Sequence, residues 1–66
     1  MAVIKVIEVL GVSDKSWDDA AAQALKGATS SVRNISGIEV LSQTAKVKDG
    51  AISEYHATCK VAFRVE

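Results

Sequence analysis

The chain has 66 residues, enough for one domain, but at this size only roughly 60% of the unfolded surface can be buried, so a core within one chain is marginal. Eight basic and eight acidic residues give a formal net charge of +0 and alternate along the chain, so nucleic acid, which needs a concentrated positive field, is not a predicted partner. The composition is 48% hydrophobic and the one cysteine, Cys59, cannot form an internal disulfide, so we expect self-association to stabilise the fold.

The first predicted element is a strand over residues 2–10, where nearly all side chains are β-branched or long and aliphatic. Such a run is typical of a strand covered on both faces, and in so small a chain the second cover must come from another subunit. Lys5 and Glu8 interrupt the run, which matches neither a signal peptide nor the roughly 20 apolar residues of a membrane span. A cytoplasmic protein with no membrane partner is predicted, and Gly11 is expected to end the strand in a turn.

The second predicted element is a helix that continues to Asn34, with Ser16 as its N-cap and Asp19 three residues later. Its apolar residues recur at steps of three and four and form one stripe. The stripe is mostly alanine, which allows the helix to lie close to a sheet. Trp17 is expected to anchor the start of the helix against the sheet or a neighbouring subunit. The stripe consists of Trp17, Ala20, Ala21, Ala24, Leu25, Ala28 and Val32.

A second strand is predicted from Ile38 onward. Its apolar residues have even numbers at the start of the strand and odd numbers towards its end. In a regular strand these two sets would lie on opposite faces. A bulge or strong bend is therefore expected between Leu41 and Thr44. The two sets of apolar residues are Ile38 with Val40, and Ala45 with Val47.

The last predicted strand follows a hairpin turn at Lys48-Asp49-Gly50. Apolar and polar side chains alternate clearly along it, so one face is expected to be buried and the other to remain polar. The order is β-α-β-β in a single domain, residues 1–66. The apolar face holds Tyr55, Ala57, Cys59, Val61, Phe63 and Val65, and the polar face holds His56, Thr58, Lys60, Arg64 and Glu66.

Several short segments, taken in order, resemble one family over essentially the whole chain. They are Leu10-Gly11-Val12-Ser13, Ser16-Trp17 before the alanine-rich helix, Ile38-Glu39-Val40, Glu54-Tyr55 and Val61-Ala62-Phe63. On these residues the sequence resembles the dodecin family. The resemblance implies an α+β fold, a three-stranded antiparallel sheet partly wrapped around one helix, assembled as a hollow homododecamer with 23 symmetry. It also implies a protein that binds and stores a small ligand and is not an enzyme.

The family ligand is a flavin, FMN or riboflavin, held by a tryptophan before the second strand and a glutamine on the third. The resemblance places these two positions at Gly37 and His56. Glycine offers no ring for stacking, and histidine offers a different set of hydrogen-bond donors and acceptors from an amide. A pocket at Gly37 and His56 with altered flavin binding is therefore expected, and its ligand is a flavin or a different small molecule. The alternatives are a structural shell with a vestigial pocket and a metal-binding variant.

Asp14, Asp18 and Asp19 are the candidate metal ligands, because carboxylates of symmetry-related copies can converge on a hard cation such as calcium. The competing interpretation is ordinary helix capping and matching of the helix dipole. Cys59 and His56 are expected on opposite faces of one strand, so they do not form a catalytic pair. No nucleotide-binding, zinc or catalytic-triad motif is present, and no enzymatic reaction is predicted.

Overall fold

The computed structural model describes residues 2–65, so Met1 and Glu66 lie outside the described part of the chain. Its elements are β1 (Val3–Ser13), α1 (Trp17–Thr29), β2 (Ile35–Lys48) and β3 (Ala51–Val65), which confirms the predicted β-α-β-β order. The strands form one antiparallel sheet in the order β1-β3-β2. No helix within residues 2–65 has the length and apolar character needed to span a membrane.

The first strand is longer than predicted, because β1 continues through Gly11 to Ser13. The prediction that Gly11 ends the strand is wrong. Gly11 is buried, and a Cβ atom built on it would lie 1.9 Å from the carbonyl oxygen of Ala20. The glycine is therefore needed for the close approach of α1 to the sheet and not for a turn.

The helix begins as predicted, since Ser16 is the N-cap and its Oγ accepts a hydrogen bond from the amide of Asp19 at 3.0 Å. It ends at Thr29, so the predicted end at Asn34 is wrong. Three successive hydroxyl groups donate to carbonyl oxygens three residues earlier in the last turn, and such local bonds favour the end of a helix. They belong to Thr29, Ser30 and Ser31. Val32 and Arg33 consequently follow the helix, and Asn34 adopts a left-handed conformation with φ 62°.

The core between α1 and the sheet consists of small side chains. Its central cluster is Ala20 and Ala24 from the helix with Ala57 and Cys59 from β3. The predicted alternation in β3 is confirmed, because Ala57, Cys59 and Val61 are all 0% exposed. Among the described residues the largest fully buried side chains are valine and cysteine, so the single subunit encloses little apolar volume.

Many large apolar side chains lie outside this core. Their exposed fractions range from 38% to 64%. Apolar surface on this scale in one small chain marks an interaction surface. These residues are Val3, Ile4, Val6, Leu10, Val12, Ile38, Val40, Leu41, Val47, Ile52 and Val65.

The sheet is interrupted by irregularities along β2. The pairing with β3 shifts register between Val40 and Ser42, so Leu41 is an extra residue, and the bulge predicted in this region is confirmed. Two further shifts, one between Ile35 and Gly37 and one between Lys46 and Val47, were not predicted. The predicted hairpin turn is confirmed, since both of its central residues have positive φ, as a two-residue hairpin favours. These residues are Asp49 and Gly50.

Candidate functional site

The sheet face that points away from α1 carries the predicted ligand-contacting residues, and we call it the open face. His56 in β3 pairs with Thr44 in β2 and Val12 in β1, and neighbouring strand residues alternate between faces. Cys59 contacts the helix, so His56 lies on the open face. The open face is apolar along β1 except at Glu8, and mostly polar along β3.

The imidazole of His56 is held by a neighbouring carboxylate. His56 Nε2 lies 3.0 Å from Glu54 Oε1, two residues earlier on the same strand. This hydrogen bond is the main cause that lowers the pKa of Glu54, and the positive charge of Lys46 acts in the same direction, while desolvation opposes both. The pair was not predicted, although two polar residues at a spacing of two on a strand share a face.

A His56→Ala variant is expected to raise the pKa of Glu54 back toward its ordinary value of 4.5. In the folded protein the lowered pKa means that ionised Glu54 contributes stability above its unfolded pKa, and that this contribution is lost as pH falls through the folded value. An NMR titration that follows the Glu54 carboxyl carbon measures the change. Thr58→Ala, two residues further along the same face, should leave the titration of Glu54 unaltered. An unchanged Glu54 titration in His56→Ala would contradict the assigned cause.

Gly37 borders two open grooves at the start of β2. The first lies on the open face and has a volume of about 390 Å³. The second, of about 380 Å³, lies between the end of α1 and β2. A Cβ atom built on Gly37 meets no atom within 4 Å, and its φ lies outside the left-handed region. The position can therefore accept a Cβ atom without strain, and the grooves beside it are open. The first groove is lined by Val6, Gly37, Ile38, Glu39, Lys60 and Ala62.

One subunit does not bring Gly37 and His56 together. Gly37 pairs with Ala62, which is six residues along β3 from His56. At about 3.3 Å per residue, the separation is roughly 20 Å. A pocket that uses both positions therefore needs Gly37 from one copy and His56 from another, and the predicted pocket remains a prediction.

The three candidate metal ligands lie around the start of α1. Asp19 Oδ2 accepts a hydrogen bond of 2.6 Å from the buried hydroxyl of Ser13, and this bond is the main cause that lowers the pKa of Asp19. Asp14 and Asp18 are exposed. Within residues 2–65, no group of three or more His, Cys, Asp or Glu side chains is arranged to hold a metal ion. Asp19 lies in the first turn of α1, where the helix dipole favours a carboxylate, and the calcium site remains a prediction that requires ligands from other copies.

The thiol of Cys59 is separated from His56 by the sheet. Cys59 is 0% exposed, in the core under α1, and its burial raises the pKa of the thiol. His56 lies on the open face. The two side chains cannot act together as nucleophile and base in one subunit.

Trp17 anchors the helix to the sheet, as predicted. Its indole Nε1 donates a hydrogen bond of 2.8 Å to the carbonyl oxygen of Thr44. Its ring also meets the ring of Tyr55 edge to face, with centroids 4.8 Å apart. The start of α1 is thereby fixed to both β2 and β3.

Comparison with known proteins identifies a family match over nearly the whole chain. The model of the dodecin family matches residues 3–66. The calcium dodecin of Mycobacterium tuberculosis is 35% identical over 65 residues, which cover 98% of this chain and 92% of that protein. The crystal structure of that calcium-chelating antigen, described as having a novel calcium-binding site, gives a TM-score of 0.84 at 37% identity over 97% of this chain and 91% of that one.

Other solved structures share the backbone more closely at lower sequence identity. A protein from Thermus thermophilus gives a TM-score of 0.96 at 27% identity, covering 100% of this chain and 97% of that one. The dodecin from Streptomyces coelicolor gives 0.95 at 28% identity, covering 98% and 93%. The backbone is therefore shared by proteins whose side chains differ at most positions.

Proposed function

The chain belongs to the dodecin family, and from this we propose that it is a non-enzymatic, homododecameric protein that binds and stores a small ligand. Assembly into a dodecamer is a property of the family. We place the protein in the cytoplasm, where its unpaired Cys59 stays reduced. The ligand site that we propose is a pocket between copies to which Gly37 and His56 contribute.

The exposed apolar surface is the observation that carries this proposal. The helix-facing core is made largely of alanine, while valine, isoleucine and leucine side chains remain up to 64% exposed. Burial of apolar surface is worth about 25 cal/mol per Å², so contact with further copies stabilises a subunit whose own core is small. The grooves at Gly37 lie at this surface and become enclosed when another copy covers them.

The ligand chemistry follows from the two altered positions. Dodecins as a family bind flavins, but Gly37 provides no ring for a flavin to stack on. The stacking of a nucleic-acid base on an aromatic side chain, a comparable contact, contributes about 1–3 kcal/mol. We therefore propose that the pocket binds flavin weakly, or prefers a different small ligand that hydrogen-bonds to His56. A structural shell with a vestigial pocket is the alternative.

Light scattering combined with native mass spectrometry tests assembly and ligand together. Twelve chains of 7.0 kDa give a mass of about 84 kDa, and this is the expected result. A stoichiometric non-protein mass on protein purified without added ligand supports storage, whereas an empty shell that also fails to quench added riboflavin or FMN supports the structural alternative. A folded monomer at micromolar concentration would overturn the proposal.

Calcium is a second candidate ligand, because a relative that is 35% identical is a calcium dodecin. The carboxylates that we propose as ligands are Asp14 and Asp18, with further ligands from neighbouring copies. Asp18→Asn is expected to weaken calcium binding in a calorimetric titration of the assembled protein. Asp49→Asn is the matched control, since residue 49 lies in the hairpin turn with φ 53°, a conformation that asparagine accepts. Equal affinities in the two variants would exclude Asp18 as a ligand.

A further inference from the structure

The carboxylate of Glu54 determines which ring nitrogen of His56 is left for a ligand. His56 Nε2 lies 3.0 Å from Glu54 Oε1. The pKa of Glu54 is lowered from 4.5, so its carboxylate is ionised at neutral pH and can only accept hydrogen bonds. Nε2 must therefore carry a proton and donate to Glu54. In a neutral imidazole the other nitrogen, Nδ1, then has a free lone pair and acts as an acceptor.

The neighbouring strands support this arrangement. Lys46 in β2 lies opposite Glu54, and its positive charge favours the ionised carboxylate. Thr44 in β2 and Val12 in β1 lie opposite His56, and neither residue carries a charge. Glu54 is therefore the acceptor that fixes the ring, and Lys46 helps to keep that acceptor ionised.

Nδ1 of His56 is available to a group from outside the subunit. Within residues 2–65 the ring forms no hydrogen bond other than the one to Glu54, so neither Asp14, just beyond β1, nor another carboxylate binds it. The side chain of His56 is 27% exposed, and α1 packs against the opposite face of the sheet. Further charges on the open face lie four residues along a strand from His56 or its partners, at roughly 13 Å. They are Glu8 in β1, Lys48 in β2 and Lys60 in β3.

We propose that Glu54 is a positioning residue that fixes the Nε2–H tautomer of His56, so that the pocket selects a ligand with an N–H or O–H donor directed at Nδ1. The inference rests on the proposed function, which places His56 in the ligand pocket. A glutamine amide offers a donor and an acceptor, whereas this imidazole offers its ligand an acceptor alone. Ligands that present only a carbonyl or carboxylate oxygen to Nδ1 are disfavoured, because two lone pairs then face each other. The ligand class is thus one with a donor at its edge, such as an imide or an alcohol.

Nitrogen NMR of the ring tests the positioning role. His56 is the only histidine of the chain, so ¹⁵N-labelled histidine gives one pair of ring signals. At a pH at which imidazole is neutral, we expect the shift of a protonated nitrogen for Nε2 and of an unprotonated one for Nδ1. In Glu54→Ala the two shifts should move towards each other as the second tautomer becomes populated. Asp49→Asn, which removes a carboxylate from the hairpin turn, is the control and should retain the wild-type shifts. Unaltered shifts in Glu54→Ala would overturn the positioning role.

A pair of flavins tests the selection of a donor. FMN carries an imide N–H, and a derivative methylated at that nitrogen does not. Quenching of flavin fluorescence by the assembled protein is expected to show roughly tenfold tighter binding of FMN, because only FMN can donate to Nδ1. The methyl group also adds bulk, so His56→Ala is the control. Without the acceptor, the two flavins should bind with similar affinity.

The outcomes separate this inference from the proposed function. Equal affinities for the two flavins in the wild-type protein, or a preference for FMN that persists in His56→Ala, would show that the ligand does not donate to His56. The selection is also overturned if neither flavin binds to an intact assembly, while the mass of the shell and its cargo still test storage. A monomer in light scattering contradicts the proposed function itself, whatever the tautomer of His56.

Discussion

A Gly11→Ala variant is expected to lose about 3 kcal/mol of stability, at the upper end of the usual cost of overpacking a core. The added Cβ would lie 1.9 Å from the carbonyl oxygen of Ala20 and 2.9 Å from Cβ of Ala24. Backbone atoms of a helix cannot rotate away, so α1 must move off the sheet, and the small core of Ala20, Ala24, Ala57 and Cys59 opens. Urea denaturation followed by circular dichroism, at one fixed protein concentration, measures the loss.

Gly27→Ala is the matched control for this variant. Gly27 is exposed in the same helix, and a Cβ atom built on it meets nothing within 4 Å. Alanine there is expected to stabilise the helix by about 0.5–1 kcal/mol. A Gly11→Ala protein as stable as wild type would show that the close approach of α1 to β1 does not limit the fold.

The opposite effects expected at Gly11 and Gly27 show that some features of the fold can be predicted from sequence patterns and that others cannot. Local periodicity is sufficient to predict the order of elements and the buried face of β3, and the spacing of Ser16 and Asp19 predicts the N-cap. Periodicity does not predict that β1 continues through Gly11, because a glycine after an apolar run is equally compatible with a turn and with a strand packed closely against a helix. The helix end was misplaced for a similar reason, since the three hydroxyls at Thr29, Ser30 and Ser31 end the helix through bonds that apolar periodicity does not reveal.

The candidate site was less predictable than the fold. Parity alone places His56 on the open face, but the roughly 20 Å between it and Gly37 follows from strand register, which the bulges of β2 shift. Cross-strand rows such as Glu8, Lys60 and Glu39 likewise depend on register. The sequence pattern of one chain does not predict which residues of other copies complete the site.

The second large effect concerns flavin binding. A Gly37→Trp variant is expected to bind FMN at least tenfold more tightly than the wild-type protein, since a stacked ring contributes about 1–3 kcal/mol and 1.4 kcal/mol is tenfold in affinity. We expect the ring to fit, because a Cβ atom at Gly37 meets no other atom, open grooves lie beside it, and its backbone needs no left-handed conformation. Adding His56→Gln is expected to increase the affinity further by supplying an amide donor and acceptor. Quenching of flavin fluorescence during titration with the assembled protein measures both steps.

The control for this gain is Gly37→Leu, which places an apolar side chain without a π-face beside the same open groove of about 390 Å³. Leucine has no ring for a flavin to stack on, so it is expected to leave flavin affinity near the wild-type value. If leucine and tryptophan increased the affinity equally, the tighter flavin binding would result from apolar volume and not from aromatic stacking. If neither increased it while light scattering showed intact assemblies, the glycine would not occupy the family's flavin position, and the proposed pocket would have to be sought elsewhere on the open face.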